Sequence, residues 1–287
     1  MVVAWVIGIH RINNIDLFKT EKAVLKILFM KKVQTKTFVK KLASTDRKTR
    51  DHALETLKKY LGARADVRPL TQPEFEKLWK GLYYTMWFSD RPRPQQRLAD
   101  DLAKLFSQCI SKEQFCSFVQ AFWAVVCKEW PTLDQWRVDK FYLLMRYVVR
   151  ECFVRLQKED WELALLENYV KSLEADVLSG RPAVPPGVTY HVVDVYLDEL
   201  EHVVVGDEEN VEADKAREKF DNVPLAELLQ PFEKLVKDAL MKTLRTKVRD
   251  DLIRDERLMT WGYTANKSDG QEEEEEEEEE EEWTGFD

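Results

Sequence analysis

The sequence predicts an all-α protein, an irregular HEAT-like α-solenoid of stacked helical hairpins. Three observations point there. Apolar residues recur at three- and four-residue spacing in segment after segment. Glycine and proline number only 9 and 10 in 287 residues. No two alternating runs bounded by turn residues read as a pair of strands. Some ten helices of similar length joined by short loops satisfy this pattern. No clean repeat period is visible, so a compact all-α bundle satisfies it as well. The apolar content of 44% suits a chain with a full core.

Each element has its own signals. Ser44 and Thr45 lead into Asp46, which opens a helix through Ala53, Leu54, Leu57 and Leu61 that stops at Gly62. Thr71 with Glu74 three residues on forms a capping box, with Pro73 in the first turn. Phe75, Leu78, Trp79, Leu82 and Met86 then mark a buried face. Gly81 in mid-helix costs about 1 kcal/mol against alanine, so a neighbouring helix is expected to approach closely there. The run SDRPRP ends that helix and presents Asp90, Arg91 and Arg93 at a corner. Pro92 and Pro94 open the next helix, through Leu98, Leu102, Leu105 and Phe106. Ser111 with Gln114 reads as a second capping box, ahead of Phe115, Phe118, Val119, Phe122, Trp123 and Val126.

A long helix is expected from about Leu133 to Gln157, with Trp136, Phe141, Leu144, Met145 and Val148 as its inward stripe. Asp160 reads as the cap of a helix from Trp161 to Leu178, closed by Gly180. The breaker run RPAVPPG marks a possible sub-domain seam at 180–189. Val192, Val195, Tyr196, Leu200 and Val203 give another helix despite their β-branched neighbours. Pro224 and Pro231 are each placed in a first turn, and the last helices run to about Met259. After Tyr263 the chain turns polar and then polyacidic, a composition that cannot form a core. Three regions result: an extension at 1–35, a helical-repeat domain at 36–260 and a disordered acidic tail at 261–287.

The formal charge of −9 conceals a dipolar chain. Glu272 to Glu282 is an unbroken run of eleven glutamates, while the first 70 residues hold 16 Lys/Arg against 6 Asp/Glu. Such asymmetry fits a nucleic-acid-rich environment better than a small-molecule enzyme. Cys109, Cys116, Cys127 and Cys152 form no C-x-x-C pair and lie in apolar-periodic helices, as reduced, buried thiols do. No histidine stands at metal-ligand spacing with a cysteine, so no metal or cofactor is expected. The longest apolar run, Val2 to Ile9, is too short to span a membrane. No nucleophile elbow, P-loop, dinucleotide fingerprint or H-E-x-x-H is present, and no enzyme is expected.

Binding residues are the remaining candidates. In the basic stretch Lys31 to Arg68, the residues Lys36, Lys40, Lys41, Arg47, Lys48 and Arg50 cluster around one helix start. Such a cluster neutralises phosphates in a sequence-tolerant way, or else is a solvated face carrying an import signal. Aromatics for base stacking are absent from this stretch, which argues against single-strand sequence readout. Trp79, Lys80, Trp87, Asp90, Arg91, Arg93, Arg137, Asp139, Lys140 and Arg146 are candidates for a partner-protein surface. Structural ion pairs between adjacent helices are the alternative for the charged ones. The glutamate run is a solubilising extension, or it engages basic proteins or screens the basic N-terminal face.

Four segments also carry a resemblance. LWKGLYYTMWFSDRPRPQQ (Leu78 to Gln96), KLASTDRKTRDHALETLKKYL (Lys41 to Leu61), KEWPTLDQWRVDKFYLLMRYVVRECF (Lys128 to Phe153) and PPGVTYHVVDVYLDEL (Pro185 to Leu200) resemble the ribosomal RNA processing protein 1 family in the same order. The similarity covers roughly residues 36 to 258. The family pattern begins near Thr37, which leaves residues 1–35 as an extra helix, a lineage-specific arm or the product of a mistaken upstream start. The resemblance implies a non-catalytic nucleolar scaffold for large ribosomal subunit assembly, bound to precursor ribosomal RNA. It also implies company on the pre-ribosomal particle from other assembly factors, among them Brix-domain and WD-repeat proteins. The other function weighed is an acidic-tailed chaperone or transport adaptor for basic proteins.

Overall fold

The computed structural model describes residues 37–62, 69–206 and 212–263. The extension at 1–35 and the glutamate run lie outside the described residues. Twelve α-helices occur among the described residues, and no strand does. Helix α1 covers 37–42, α2 Arg47–Gly62, α3 Gln72–Trp87, α4 Pro92–Lys104, α5 Lys112–Glu129 and α6 Val138–Lys158. Then follow α7 Leu163–Ala175, α8 Pro186–Val205, α9 Ala213–Phe220, α10 Leu225–Asp238, α11 Lys242–Val248 and α12 Glu256–Thr260. Single π-helical turns, Leu105–Cys109 and Arg249–Ile253, extend α4 and α11.

Packing runs to the next helix but one as far as α8, and from α7 and α8 onward to the next but two. In one layer α3 packs on α5, α5 on α7 and α7 on α10; in the other α4 packs on α6, α6 on α8 and α8 on α11. Two layers stacked in that order make an irregular α-solenoid, and one buried cluster runs through it from Leu42 to Trp261. The aromatic helix α3 fills its first half. Trp79 is 1% exposed, with ring centroids 4.8 to 5.4 Å from those of Phe106, Phe118 and Phe122. Each such aromatic pair adds about 0.5–1.5 kcal/mol beyond the area it buries.

Local expectations are met at α3. Glu74 accepts hydrogen bonds from the Thr71 main-chain N–H and hydroxyl, both at 2.9 Å. A Cβ on Gly81 would lie 3.1 Å from Val39 Cγ1 and 3.4 Å from Leu42 Cβ, so the missing side chain is what lets α1 dock. Other starts differ. Helix α6 begins at Val138, because Asp134 Oδ1 accepts from the Trp136 N–H at 3.1 Å and the Arg137 N–H bonds the Asp134 carbonyl at 3.0 Å. That turn holds Trp136 out of the stripe, 85% exposed.

Helix α7 begins at Leu163 because Asp160 and Trp161 take positive φ, 51° and 53°. Gln114 sends its side-chain N–H to the Leu70 carbonyl at 3.2 Å instead of completing a box with Ser111. Pro231 sits inside α10, not in a first turn. Across 180–189, α6 packs on α8 and α7 on α10.

Candidate nucleic-acid interface

The end of α3 gathers the segments singled out above. Asp46 caps α2 by accepting from the Thr49 N–H at 2.9 Å and its hydroxyl at 2.6 Å, and these bonds hold its carboxyl below the ordinary aspartate value. The Thr85 hydroxyl donates to the Leu42 carbonyl at 2.6 Å and ties α1 to α3. Arg50 then clamps the turn. It is 7% exposed and donates to the carbonyls of Ser44 at 2.8 Å, Thr45 at 3.0 Å and Phe88 at 3.5 Å. The basic α1–α2 turn is thereby held against the last turn of α3.

The opposite side of that turn is held from α6. Lys140 is 5% exposed, and its Nζ donates to the carbonyls of Trp87 at 2.7 Å and Ser89 at 2.8 Å. Asp90 Oδ1 lies 3.7 Å away. Burial lowers the Lys140 pKa below the ordinary lysine value. The Arg137 guanidinium lies 4.8 Å from the centre of the Trp87 ring and pairs with Asp134. Gln95 Nε2 bonds the Ser89 carbonyl at 2.9 Å. The corner Ser89–Pro94 is thus fixed by side chains from two helices, while Arg91 and Arg93 project from it into solvent.

The predicted residues sort accordingly. Lys40, Lys41, Arg47 and Lys48 are exposed. Arg47 meets Asp51 at 3.3 Å in an open pair of little energetic weight. Lys40, Lys41, Lys48, Arg91 and Arg93 have no carboxylate partner among the described residues. Lys36 lies outside them. Arg50, Trp79 and Lys140 are removed from the exposed set: each is buried and committed to intramolecular contacts. Arg146 is tied to α8 through Glu199 and, at 3.3 Å, Asp198; Glu199 itself is fully buried and also pairs with Arg150. Lys80 is half exposed and pairs with Glu129 at 2.8 Å. Trp87 is half-buried and Asp139 exposed.

The residues that sequence reasoning missed or misplaced share one signal. Arg50 lies on the face of Ala53, Leu54 and Leu57, Lys140 on that of Leu144 and Val148, and Glu199 on that of Val192, Val195 and Tyr196. A charged residue in register with an apolar stripe is one the fold must partner internally.

The arrangement offers exposed cations without carboxylate partners among the described residues. No group of three metal-ligating side chains converges among the described residues. An open cleft of about 570 Å³ between α5 and α7 is lined by Lys112, Glu113, Cys116 and Ser172. Lys112 there pairs with Glu162 and, at 3.2 Å, with Glu159, and burial pushes the Cys116 thiol up to about 11. No described helix is long and apolar enough to cross a membrane.

The family described as "Nucleolar protein, Nop52" matches residues 33–285. The chain is 38% identical over 165 residues to ribosomal RNA processing protein 1 homolog B of Mus musculus, covering 57% of this chain and 23% of that protein. It is 36% identical over 165 residues to homolog A of Homo sapiens, covering 57% and 36%. To the Drosophila melanogaster homolog it is 35% identical over 172 residues, covering 59% and 25%. The matched part thus spans between about a quarter and a third of these curated relatives.

Proposed function

Because the chain belongs to the Nop52 family of nucleolar proteins, we propose that it serves ribosomal RNA processing in the nucleolus as a non-catalytic scaffold. In this reading it holds precursor ribosomal RNA of the large subunit, together with other assembly factors, in an arrangement that permits folding and processing. The single observation that supports it best is the basic edge at the end of α3. There Lys40, Lys41 and Lys48 on α1 and α2, and Arg91 and Arg93 on the corner after α3, are exposed without carboxylate partners among the described residues. Cations left unpaired on a rigid frame gain most from phosphate, through release of condensed counterions. Arg146 and Arg150 are committed to Glu199 on α8 and are not among these cations.

The test is a charge reversal of Lys40, Lys41, Arg47 and Lys48 to glutamate in cells. The reading expects the variant to fold, yet to leave the fast-sedimenting large-subunit precursors and run as free protein on a sucrose gradient. Unchanged co-sedimentation would refute it. Brix-domain and WD-repeat proteins are the partners the family resemblance suggests on that particle.

A further inference from the structure

The α1–α2 turn carries positive charge that the described fold does not neutralise. Between 37 and 51 the carboxylates are Asp46 and Asp51 alone. Asp46 is spent on the Thr49 N–H and hydroxyl, and Asp51 on Arg47. Lys40, Lys41 and Lys48 stay exposed, with no carboxylate partner among the described residues. The Arg50 and Thr85 bonds fix this turn on the end of α3, so the three cations stand on a rigid support. Their counterpart in the same chain is the unbroken run of eleven glutamates, Glu272 to Glu282.

Chain length allows the two to meet. The last described residue, Tyr263, is anchored on α10, where its hydroxyl donates to Glu233. From α10 the layer steps through α7 and α5 to α3. Three steps of about 8–10 Å, with an offset of about 24 Å for the length of α3, put the end of α3 within roughly 40 Å of α10. Glu272 follows Tyr263 by nine residues and Glu282 by nineteen. A chain spans at most about 3.3–3.6 Å per residue, so the later glutamates of the run have the reach. Cations nearer the point of departure offer less: Lys215, Lys234, Lys247, Arg254 and Arg257 already face carboxylates.

We infer that the glutamate run occupies the α1–α2 turn of its own chain and pairs with Lys40, Lys41 and Lys48. RNA phosphates must then displace it, so the contact raises the threshold for binding; that consequence rests on the proposed RNA-binding role, and the contact itself does not. The test is carbodiimide cross-linking of the full chain at low salt, with the linked peptides identified by mass spectrometry. The expected result is amide bonds within one chain from Lys40, Lys41 or Lys48 to the run, fading at about 0.5 M salt as the charges are screened. Absence of such links, or links only between two chains, overturns the inference.

Fluorescence anisotropy with a labelled oligouridylate of about 20 nucleotides gives a second readout. Replacing all eleven glutamates by serine should tighten binding about five- to tenfold, as loss of a tethered competitor does. In a chain carrying Lys40→Gln, Lys41→Gln and Lys48→Gln, the same replacement should change affinity by less than about twofold. An equal gain on both backgrounds overturns the inference, because general repulsion of RNA by the run then accounts for it. If neither the wild-type chain nor the serine variant binds RNA while the cross-links form, the RNA-binding role falls and the contact stands. If RNA binds and the cross-links are missing, only this inference falls.

Discussion

Replacing Arg50 by methionine separates a structural arginine from a phosphate-binding one. The side chain is 7% exposed and makes two good charge-assisted bonds, at 2.8 and 3.0 Å; the third, at 3.5 Å, adds little. Bonds of this kind are worth about 1.5–3 kcal/mol each. Against that stand the desolvation of the guanidinium and about 2 kcal/mol of side-chain entropy. The freed Ser44 and Thr45 carbonyls lie near the surface and regain water. The net cost of Arg50→Met is therefore about 2–3 kcal/mol. For a domain of this size that lowers Tm by about 5–10 °C. Urea denaturation should show a lower midpoint at an unchanged slope. Below the transition, the salt dependence of RNA affinity should keep its slope, because Arg50 neutralises no phosphate; each cation that does is worth about 0.7 in that slope on single strands. A variant of wild-type stability whose slope drops by that amount would refute the reasoning.

Other perturbations have equally definite outcomes. Trp79→Ala removes the ring packed on Phe106, Phe118 and Phe122 and should cost about 3–5 kcal/mol in the urea midpoint. Glu199→Ala leaves Arg146 and Arg150 facing a buried gap. The usual cost of breaking a buried pair, about 3–5 kcal/mol, should fall at its lower end, since both arginines are 29–39% exposed and can rehydrate. Lys140 has a lowered pKa in the fold, so the unfolded chain binds its proton more tightly. Stability relative to Lys140→Met should therefore rise as pH climbs from the lowered value towards 10.5, measured by urea midpoints of the two proteins at stepped pH. Burial pushes the Cys116 and Cys127 thiols up to about 11 and about 12, so iodoacetamide near pH 8 should label the native chain slowly and the urea-unfolded chain rapidly at all four cysteines.

Periodicity and capping made most of the fold legible. Thr71, Pro73 and Glu74 identify the start of α3, and Gly81 announces the close approach of α1, because these residue types answer local backbone demands. The start of α6 was not legible, since Leu133 and Trp136 stand at helical spacing through a turn. What stops the helix there is a hydrogen bond from the Trp136 N–H to the Asp134 side chain, which apolar periodicity does not register. The left-handed backbone at Asp160 and Trp161 was hidden for a related reason, as neither residue type demands it.

The candidate site was half legible. Its lysines were visible as a cluster, but composition cannot tell an exposed Lys48 from a buried Arg50 two residues on. Only register with the apolar face does so. The docking of the α1–α2 turn on the end of α3, held by the Thr85 hydroxyl on the Leu42 carbonyl, joins residues 43 apart and could not be read from one segment.

The central claim is that this chain is an RNA-associated scaffold of the large-subunit precursor. It is tested most directly by purifying the tagged protein from its own cells with and without ribonuclease, then identifying the RNA and proteins that come with it. The account predicts large-subunit precursor RNA and a defined set of assembly factors, some of which survive ribonuclease as direct protein neighbours. Recovery of only free ribosomal proteins or histones, with no precursor RNA, would contradict it and favour an acidic chaperone for basic proteins.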